Sequence, residues 1–559
     1  MKRRAFYLLG FPLVFMLTTL ASAEPDLVGN SGSDSAIEDV LLPMLQGEFA
    51  LQEGDSTAAA MAYVEVAERD SDPALAERAA RIALMADQPS LVERALQRWL
   101  RLQPNAVGAR QIELVLAMRD HRISAAVHQL SELLSGDETA QRLAIQALAG
   151  AGEQAVPVMQ QLLAEGFEPK SVDVLVAIGA LASQSKAEAL VDSVLRLAAE
   201  TFPDDIKATL WRVEVLQLKG DKVVALQTLR GLETGALSLS ERLRVAALFD
   251  GLGETDRAAT VLAEGEQSNA TYAGRAAYLA RLEQKDALRS LYAELTVPIN
   301  AGSKPDDDRR FLLAQIAEYL DENDDALIWY RAIASPERGE PARLRVAVLL
   351  DRQGQLDDAI SELREIQSSR SDNGEWLRDA YLLEAEILLR NQRAEHALDA
   401  YRRGLTVFED DPALLYGRAL CHERLDQVDA ALGDLKRLLE IDSENPDTLN
   451  SYGYTLADRT DRLDEARGYI EQALALSPDS AAILDSMGWV LHRQGHHNEA
   501  LPYLQRAWAA QKDAEVAAHL GDVLWALGRL DEATEVWREG EQLDADNRAL
   551  KRSLQKLAP

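Results

Sequence analysis

Residues 486–507 read SMGWVLHRQGHHNEALPYLQRA, and residues 519–540 read HLGDVLWALGRLDEATEVWREG. The two runs align without a gap, and small residues recur at the same places in both: Gly488, Gly495 and Ala500, then Gly521, Gly528 and Ala533. Small residues at these offsets let two antiparallel helices approach, while Leu504 and Trp537 fill the space between them. Each run therefore predicts two helices joined by a turn.

The same hairpin pattern recurs along most of the chain. Small residues of a first helix or of the turn recur with a small residue of the second helix. The pairs that start in a first helix are Gly47 and Ala59, Ala385 and Ala397, Ala419 and Ala431, and Gly453 and Ala466; those that start in the turn are Gly220 and Ala225, Gly253 and Ala258, and Gly354 and Ala359. One hairpin alone cannot bury its apolar face, whereas stacked hairpins share a continuous core. The composition, 47% hydrophobic with 6% aromatic residues, also suits helices rich in Ala and Leu. We expect an all-α solenoid.

The repeated unit resembles the tetratricopeptide repeat (TPR) of about 34 residues. The resemblance covers most of residues 37–547 and is strongest from about residue 378. It implies a TPR-type α-solenoid, that is, a right-handed superhelix of helix-turn-helix repeats.

The chain divides into six predicted segments: a signal peptide (1–23), a flexible linker (24–36), degenerate TPR-like hairpins (37–205), TPR-like repeats (206–373), regular TPR repeats (374–547) and a C-terminal capping helix (548–559). Between 73 and 203 the helical periodicity continues while the small-residue offsets drift, so a separate non-repeat helical domain stays an alternative there. Two stretches, 297–308 and 368–374, have the composition of loops.

The N-terminus differs from the rest of the chain. A basic start at 2–4 precedes an apolar run at 5–20 and small residues at 21–23. This order is typical of a secretory signal peptide, so we expect cleavage after Ala23 and a periplasmic mature protein. A retained membrane anchor is the alternative, but the apolar run is short and is interrupted by Pro12.

The chain is strongly acidic, with a formal net charge of −33. Such a surface repels nucleic acid and anionic lipid headgroups, so we expect no nucleic-acid partner. No stretch after residue 23 is apolar enough to span a bilayer, so we also expect no stable membrane span after signal cleavage. The one cysteine, Cys421, cannot form an internal disulfide. Its helical neighbours favour packing over reactivity.

The common catalytic and phosphate-binding signatures are missing from the sequence. There is no P-loop, Gly-x-Ser-x-Gly, His-Glu-x-x-His or paired Cys-x-x-Cys pattern. His492, His496 and His497 come nearest to a metal-binding set, but Gly495 is expected to end the helix that would align them, so we interpret them as a polar turn. We predict no enzymatic activity, no cofactor and no metal.

Aromatic and polar residues collect one position beyond the packing face of the first helices: Tyr416, Asn450, Tyr454, Asp485, Trp489, His492 and Trp525. Aromatic side chains are favoured at protein interfaces, and Asn, Asp and His can hydrogen-bond a peptide backbone. We predict that this set lines a groove holding a segment of a partner protein. For Trp489 and Trp525, packing between adjacent repeats is the alternative.

Three runs resemble the exported TPR adaptors of Gram-negative bacteria: LNSYGYTLAD at 449–458, DSMGWVL at 485–491 and HLGDVLW at 519–525. That group includes a lipoprotein that partners a periplasmic carboxyl-terminal-processing serine protease and delivers cell-wall hydrolases to it. Those lipoproteins end their signal in a small-residue box followed by a lipidated Cys. Residues 20–22 resemble the box, but Ala23 stands in place of the Cys, so the resemblance does not extend to a lipid anchor.

The resemblance implies a non-enzymatic periplasmic adaptor or scaffold that binds proteins, including a periplasmic serine protease and cell-wall hydrolases. A scaffold for polysaccharide secretion, or for outer-membrane and envelope assembly, accounts for export and for the groove almost as well and stays open at this point. An enzyme accounts for neither.

The signal-like N-terminus predicts a mature chain that begins at Glu24. Intact-mass measurement and N-terminal sequencing of protein from the periplasmic fraction check this. As a control, Ala23→Leu removes the small residue that signal peptidase requires, so this variant should accumulate at the unprocessed mass. Recovery of residues 2–20 from wild-type protein in the membrane fraction would contradict the prediction.

Overall fold

The computed structural model describes residues 34–300, 302–368 and 374–557 of the protein. Within these ranges the chain forms 31 α-helices, three short 3₁₀ helices and no β-strand. The predicted all-α solenoid is confirmed, while the predicted signal peptide and most of the linker lie outside the described residues. The helices belong to two units, Met1–Gly253 and Glu254–Pro559.

The described helices of the first unit are α1 (Asp34–Gln52), α2 (Ser56–Arg69), α3 (Pro73–Met85), α4 (Pro89–Leu102), α5 (Val107–Arg119), α6 (Ile123–Ser135), α7 (Glu138–Ala151), α8 (Ala155–Ala164), α9 (Val172–Gln184), α10 (Glu188–Thr201), α11 (Ile206–Leu218), α12 (Lys222–Arg230) and α13 (Leu239–Gly251). Two 3₁₀ turns, Gly152–Gln154 and Thr234–Ala236, interrupt the series. Helices pack on their sequence neighbours, as in α3 with α4, α5 with α6 and α9 with α10. The stretch that lacks regular small-residue offsets is therefore still built from neighbouring helix pairs.

The described helices of the second unit are α14 (Thr255–Ala263), α15 (Asn269–Arg281), α16 (Lys285–Asn300), α17 (Asp307–Tyr319), α18 (Asn323–Arg331), α19 (Pro336–Arg352), α20 (Leu356–Ser368), α21 (Gly374–Arg390), α22 (Ala394–Val407), α23 (Pro412–Arg424), α24 (Val428–Ile441), α25 (Pro446–Arg459), α26 (Leu463–Leu476), α27 (Ala481–Arg493), α28 (His497–Ala510), α29 (Ala514–Ala526), α30 (Leu530–Leu543) and α31 (Arg548–Leu554), followed by the 3₁₀ turn Gln555–Leu557. From α17 to α30 they form seven successive hairpins, each first helix packing on the second helix that follows it.

In six of the seven hairpins from α17 to α30, the turn places one residue in the left-handed backbone region; the turn between α25 and α26 does not. Gly495 (φ +85°) and Gly528 (φ +77°) hold this place in the last two hairpins, while Gln392 and Asp426 hold it with φ near +60° in two earlier ones. A residue with a Cβ pays roughly 1 kcal/mol for this conformation, and glycine does not. Gly495 separates α27 from α28, as predicted, so the histidines on its two sides do not share one helix.

Within a hairpin, a small residue of the first helix meets a large side chain of the second. A Cβ at Gly453 would lie 2.7 Å from Cγ1 of Ile470, and one at Gly521 would overlap the indole ring of Trp537. Trp537 is fully buried, and its Nε1 donates a hydrogen bond to the carbonyl oxygen of Ala518 at 3.3 Å. The sequence prediction of helix contact at the glycines is confirmed.

The two predicted loops differ from expectation in different ways. Residues 297–308 were expected to form one loop, but α16 continues to Asn300 and α17 begins at Asp307. Ile299 is partly buried against the core of this hairpin, and this contact favours continuation of the helix past Pro298. In the second stretch, α20 ends at Ser368 and α21 begins at Gly374, while 369–373 lie outside the described residues.

Helix α31 packs on α29 and α30. Its Leu550 is fully buried in the core shared by the last hairpins. Three basic side chains spaced four residues apart form ion pairs with carboxylates of three hairpins: Arg548 with Asp426 (3.5 Å), Arg552 with Asp458 (3.4 Å) and Lys556 with Asp522 (2.8 Å). We call Arg548, Arg552 and Lys556 the basic stripe. The end of the chain is thus joined by charge to hairpins that precede it by 122 and 94 residues.

Cys421 lies on α23 and is fully buried. Its Sγ–H donates to the carbonyl oxygen of Ala394 at 3.2 Å, and burial raises the pKa of the thiol. The predicted packing role is confirmed. None of the described helices combines the length and the apolar content that crossing a bilayer requires.

The close approach at Gly521 predicts that Gly521→Ala destabilises the protein, because the new methyl group would overlap Trp537. We expect a loss of about 1–3 kcal/mol in the free energy of unfolding, as is typical of an overpacked core. Gly433→Ala is the matched control: this helical glycine has no atom within 4 Å of an added Cβ, so the better helix propensity of Ala should stabilise by about 0.5–1 kcal/mol. Urea unfolding followed by circular dichroism measures both; equal effects would contradict the packing account.

Candidate functional site

The first helices of four successive hairpins, α23, α25, α27 and α29, surround one cavity of about 440 Å³. We call it the α23–α29 cavity. Its lining combines tyrosine, amide, hydroxyl and carboxylate groups with a few apolar side chains: Tyr416, Leu420, Glu423, Leu435, Asn450, Ser451, Tyr454, Thr455, Asp485, Ser486, Gln511, Asp513, Glu515 and Val516, with Ala419, Ala481 and Ala482. Residues more than 60 positions apart in sequence therefore meet around one space.

Hydrogen bonds between hairpins hold the polar side chains of the cavity. The hydroxyls of Tyr416 on α23 and Ser451 on α25 lie 3.2 Å apart. Tyr454 on α25 donates its hydroxyl hydrogen to Oε1 of Glu515 on α29, at 2.5 Å. Burial, followed by the charge of Glu515, raises the pKa of Tyr454 well above its ordinary value, so this hydroxyl stays protonated and remains a donor.

One lining residue of the cavity, Asp485, belongs to a buried ion pair. Nδ1 of His519 lies 2.9 Å from Oδ2 of Asp485, and the side chains are 1% and 8% exposed. Burial alone would lower the pKa of His519, but the charge and hydrogen bond of Asp485 outweigh it, so the pKa is raised. The ring of His519 stacks on Trp489 with centroids 4.1 Å apart. The pair therefore joins α27 to α29 by charge and by ring contact.

The structure divides the seven predicted groove residues into two groups. Four of them line the α23–α29 cavity: Tyr416, Asn450, Tyr454 and Asp485. The other three pack against neighbouring rings: Trp489 against His519, His492 against Trp489, and Trp525 against Trp537. Trp489 is only 5% exposed, which favours the alternative that it packs between repeats. Partner binding by any of the seven stays a prediction.

Residues 446–513 match one tetratricopeptide repeat family model, and residues 382–446 and 486–547 match a second. Residues 382–547 are tetratricopeptide repeats. We call them the TPR region, and it contains the whole α23–α29 cavity. TPR repeats indicate a scaffold for protein–protein interaction, and proteins built from them are generally not enzymes.

Relatives with TPR repeats match parts of the chain. A TPR repeat-containing protein of Pseudomonas aeruginosa is 31% identical over 216 residues, which is 39% of this chain and 36% of its own length. The chain thus spans little more than a third of that relative. Among solved structures, a tetratricopeptide repeat protein from Parabacteroides merdae is 15% identical, with a TM-score of 0.38 over 44% of this chain and 97% of its own. A thermophilic TPR protein from Thermus thermophilus is 22% identical, with a TM-score of 0.30 over 33% of this chain and 100% of its own.

Sequence reasoning found Asp485 but missed the glutamates of the cavity. Glu515 lies in the first turn of α29, where acidic residues are commonly explained by the helix dipole, so its contact with Tyr454 was not anticipated. The position of Glu423 in its helix could have identified it from the sequence. It lies in the last turn of α23, where the helix dipole disfavours negative charge, and a residue in an unfavourable place is a candidate for function.

His492 is partly buried, and burial lowers its pKa to about 4, with nearby His497 adding to the effect. The two rings lie 4.7 Å apart. Among the residues that the structure describes, no group of three or more His, Cys, Asp or Glu side chains is arranged to hold a metal ion. His492 packs against Trp489 and His497, and Nδ1 of His496 lies 3.2 Å from Oε1 of Glu499 in the turn.

The buried Asp485–His519 pair predicts a pH-dependent contribution to stability. Because the pKa of His519 is raised in the folded protein, the pair stabilises fully below the ordinary value of 6.5, and the contribution is lost as pH rises through the raised pKa. Asp485→Asn should therefore cost about 3–5 kcal/mol at about pH 6, as removal of one partner of a buried pair typically does, and less at higher pH.

Urea unfolding of wild type and Asp485→Asn in steps from about pH 6 to pH 9 measures this difference. Asp531→Asn, at an exposed position of α30, is the control and should show a small difference that does not change with pH. A cost of Asp485→Asn that grew toward high pH would contradict the prediction.

Proposed function

We propose that this protein is an adaptor or scaffold that holds a segment of a partner protein in the α23–α29 cavity. The observation that carries the proposal is the convergence of four first helices on one cavity within the TPR region. Tyrosine and amide side chains in such a place are well suited to a polypeptide, because the rings supply contact area and the polar groups can bond its backbone.

The form of the cavity also favours a polypeptide segment. Its lining comes from successive hairpins, so a chain lying across the first helices would contact each of them in turn. Tyr416 is 36% exposed, and its neighbour Leu420 is 41% exposed. These two side chains offer apolar surface beside the polar lining, which is the combination found at the centre and rim of protein interfaces.

We further propose that the protein acts in the periplasm, is not an enzyme and brings cell-wall hydrolases to a carboxyl-terminal-processing serine protease. The basic, apolar and small-residue order of 1–23 supports export. The runs at 449–458, 485–491 and 519–525, which resemble exported TPR adaptors, support the adaptor role. Of these runs, the first two contribute Asn450, Tyr454 and Asp485 to the cavity.

Capture from a Gram-negative envelope extract tests the partners. The tagged mature chain is incubated with the extract, and the retained proteins are identified by mass spectrometry. Retention of a serine protease together with muramyl hydrolases supports the adaptor. Retention of polysaccharide synthase or outer-membrane export components instead would favour the envelope scaffold.

Partner binding should depend on Tyr416 more than on Trp489. Tyr416→Ala removes an exposed ring of the cavity. We expect this change to weaken binding of the captured partner by about 1–2 kcal/mol, which is roughly a five- to thirty-fold increase in Kd, with little change in Tm. Trp489→Ala opens a space between repeats and should lower Tm. Ile441→Ala, which removes an exposed apolar side chain that does not line the cavity, is the control.

Biolayer interferometry gives the affinities and circular dichroism the melting temperatures. If Tyr416→Ala bound the partner as tightly as Ile441→Ala does, the binding surface would lie elsewhere in the protein.

A further inference from the structure

We propose that the segment held in the α23–α29 cavity is anchored by an arginine or lysine side chain. This inference rests on the proposed function and names the chemistry of the partner at that site. It follows from the charges of the cavity, from its hydrogen-bonding groups and from the way the protein's own basic stripe is held.

Two carboxylates of the cavity, Glu423 and Glu515, are not neutralised in the way that other carboxylates of this unit are. Buried Glu384 accepts hydrogen bonds from Arg364 and Arg403, and buried Asp434 pairs with Arg418 at 2.6 Å. Within the described ranges, Glu423 and Glu515 form hydrogen bonds with Thr455 and Tyr454 but no ion pair closer than 4 Å. The cavity therefore contains negative charge that the fold leaves uncompensated.

The carboxylates also act on one another. Burial raises the pKa of Glu423, and the negative charges of Asp458 and Glu515 add to the effect, while Arg459 opposes it. Arg459 itself is paired with Asp426. A cation entering the cavity would gain from these carboxylates together and would relieve their repulsion, since a positive charge stabilises the ionised form of a buried acid.

The hydrogen-bonding groups of the cavity also favour a donor. Oδ1 of Asn450 is buried and has no hydrogen-bond partner, and a carboxylate only accepts hydrogen bonds. A guanidinium group has five N–H donors and an ammonium group three, and neither is an acceptor. Tyr416 lines the same cavity, and its ring can cover the apolar stem of an Arg or Lys side chain.

The basic stripe shows how this side of the first helices binds cations. Arg552 lies 3.4 Å from Asp458 on α25, and Lys556 lies 2.8 Å from Asp522 on α29. Asp458 is close enough to the cavity for its charge to act on Glu423 and Tyr454. A basic segment of this chain thus already binds carboxylates of the same first helices, and within the described ranges it forms no ion pair with Glu423 or Glu515.

Selection from a random library of phage-displayed 12-residue peptides tests the inference on the full mature chain at about 150 mM salt. Three forms of the protein are used in parallel: wild type, the site variant Glu423→Gln/Glu515→Gln, and the control variant Glu535→Gln/Glu541→Gln. The control removes the same number of charges from exposed positions of α30, so it separates binding at the cavity from attraction to an acidic surface.

We expect Arg or Lys to be enriched at one peptide position with wild type and with the control variant, and not with the site variant. The best peptide should bind the site variant at least tenfold more weakly than wild type and the control variant within about twofold. If the double variant does not fold, Glu515→Gln alone takes its place and should weaken the same peptide at least threefold. An equal loss of peptide affinity in the site and control variants would overturn the inference. Enrichment of acidic peptides, or no enrichment of any peptide, would also overturn it.

Failure of this inference and failure of the proposed function give different results. Selected peptides whose binding requires Tyr416 but which carry no basic anchor would refute the inference and leave the cavity as a protein-binding site. Peptides that carry a basic anchor but bind equally well to Tyr416→Ala and to the site variant would refute both.

Discussion

Each regular hairpin of the second unit depends on a small residue that lets its two helices approach. Where the first helix has Gly453, the second has Ile470, and where the first has Gly521, the second has Trp537. The glycine supplies the space, and the opposing side chain fills it to the density of a protein interior. Because a small residue faces a large one in hairpin after hairpin, hairpins of different sequence keep a similar distance between their helices and can stack.

Regular stacking brings distant residues together. The hydroxyls of Tyr416 and Ser451 meet although 35 residues separate them, and Tyr454 reaches Glu515 across 61 residues. The first contact joins nearly equivalent positions of two successive first helices, α23 and α25, whereas the second reaches past α27 to the first turn of α29. The cavity is therefore a product of the repeat, whereas its chemistry comes from the residues that vary between the repeats.

The sequence predicted the fold more completely than the site, for a physical reason. Helix contact at Gly488 and Gly521, and the helix end at Gly495, follow from volume and backbone conformation within one hairpin, and both are visible in a short stretch of sequence. The Asp485–His519 pair joins residues of two different hairpins. Nothing local to Asp485 indicates that partner, so its burial could not be anticipated.

The same difference explains the tryptophans and the loop. Trp489 and Tyr454 occupy similar places in their helices, but His519 covers the ring of Trp489 at 4.1 Å while the side chain of Tyr454 still reaches the cavity. Whether each of these two rings is exposed to the cavity therefore depends on a side chain from another hairpin. At 297–300, composition indicated a loop, and the burial of Ile299 outweighed it.

The buried thiol of Cys421 can serve as a native probe of local opening in this protein. The chain has one thiol, which is closed to solvent and held against the carbonyl oxygen of Ala394, and it lies on α23 between Tyr416 and Glu423 of the cavity wall. A thiol-specific reagent reaches it only when that helix separates from its neighbours, because solvent-excluded groups react through transient opening. The labelling rate of native protein therefore measures how often α23 separates from α22, the helix that begins at Ala394, without any engineered probe.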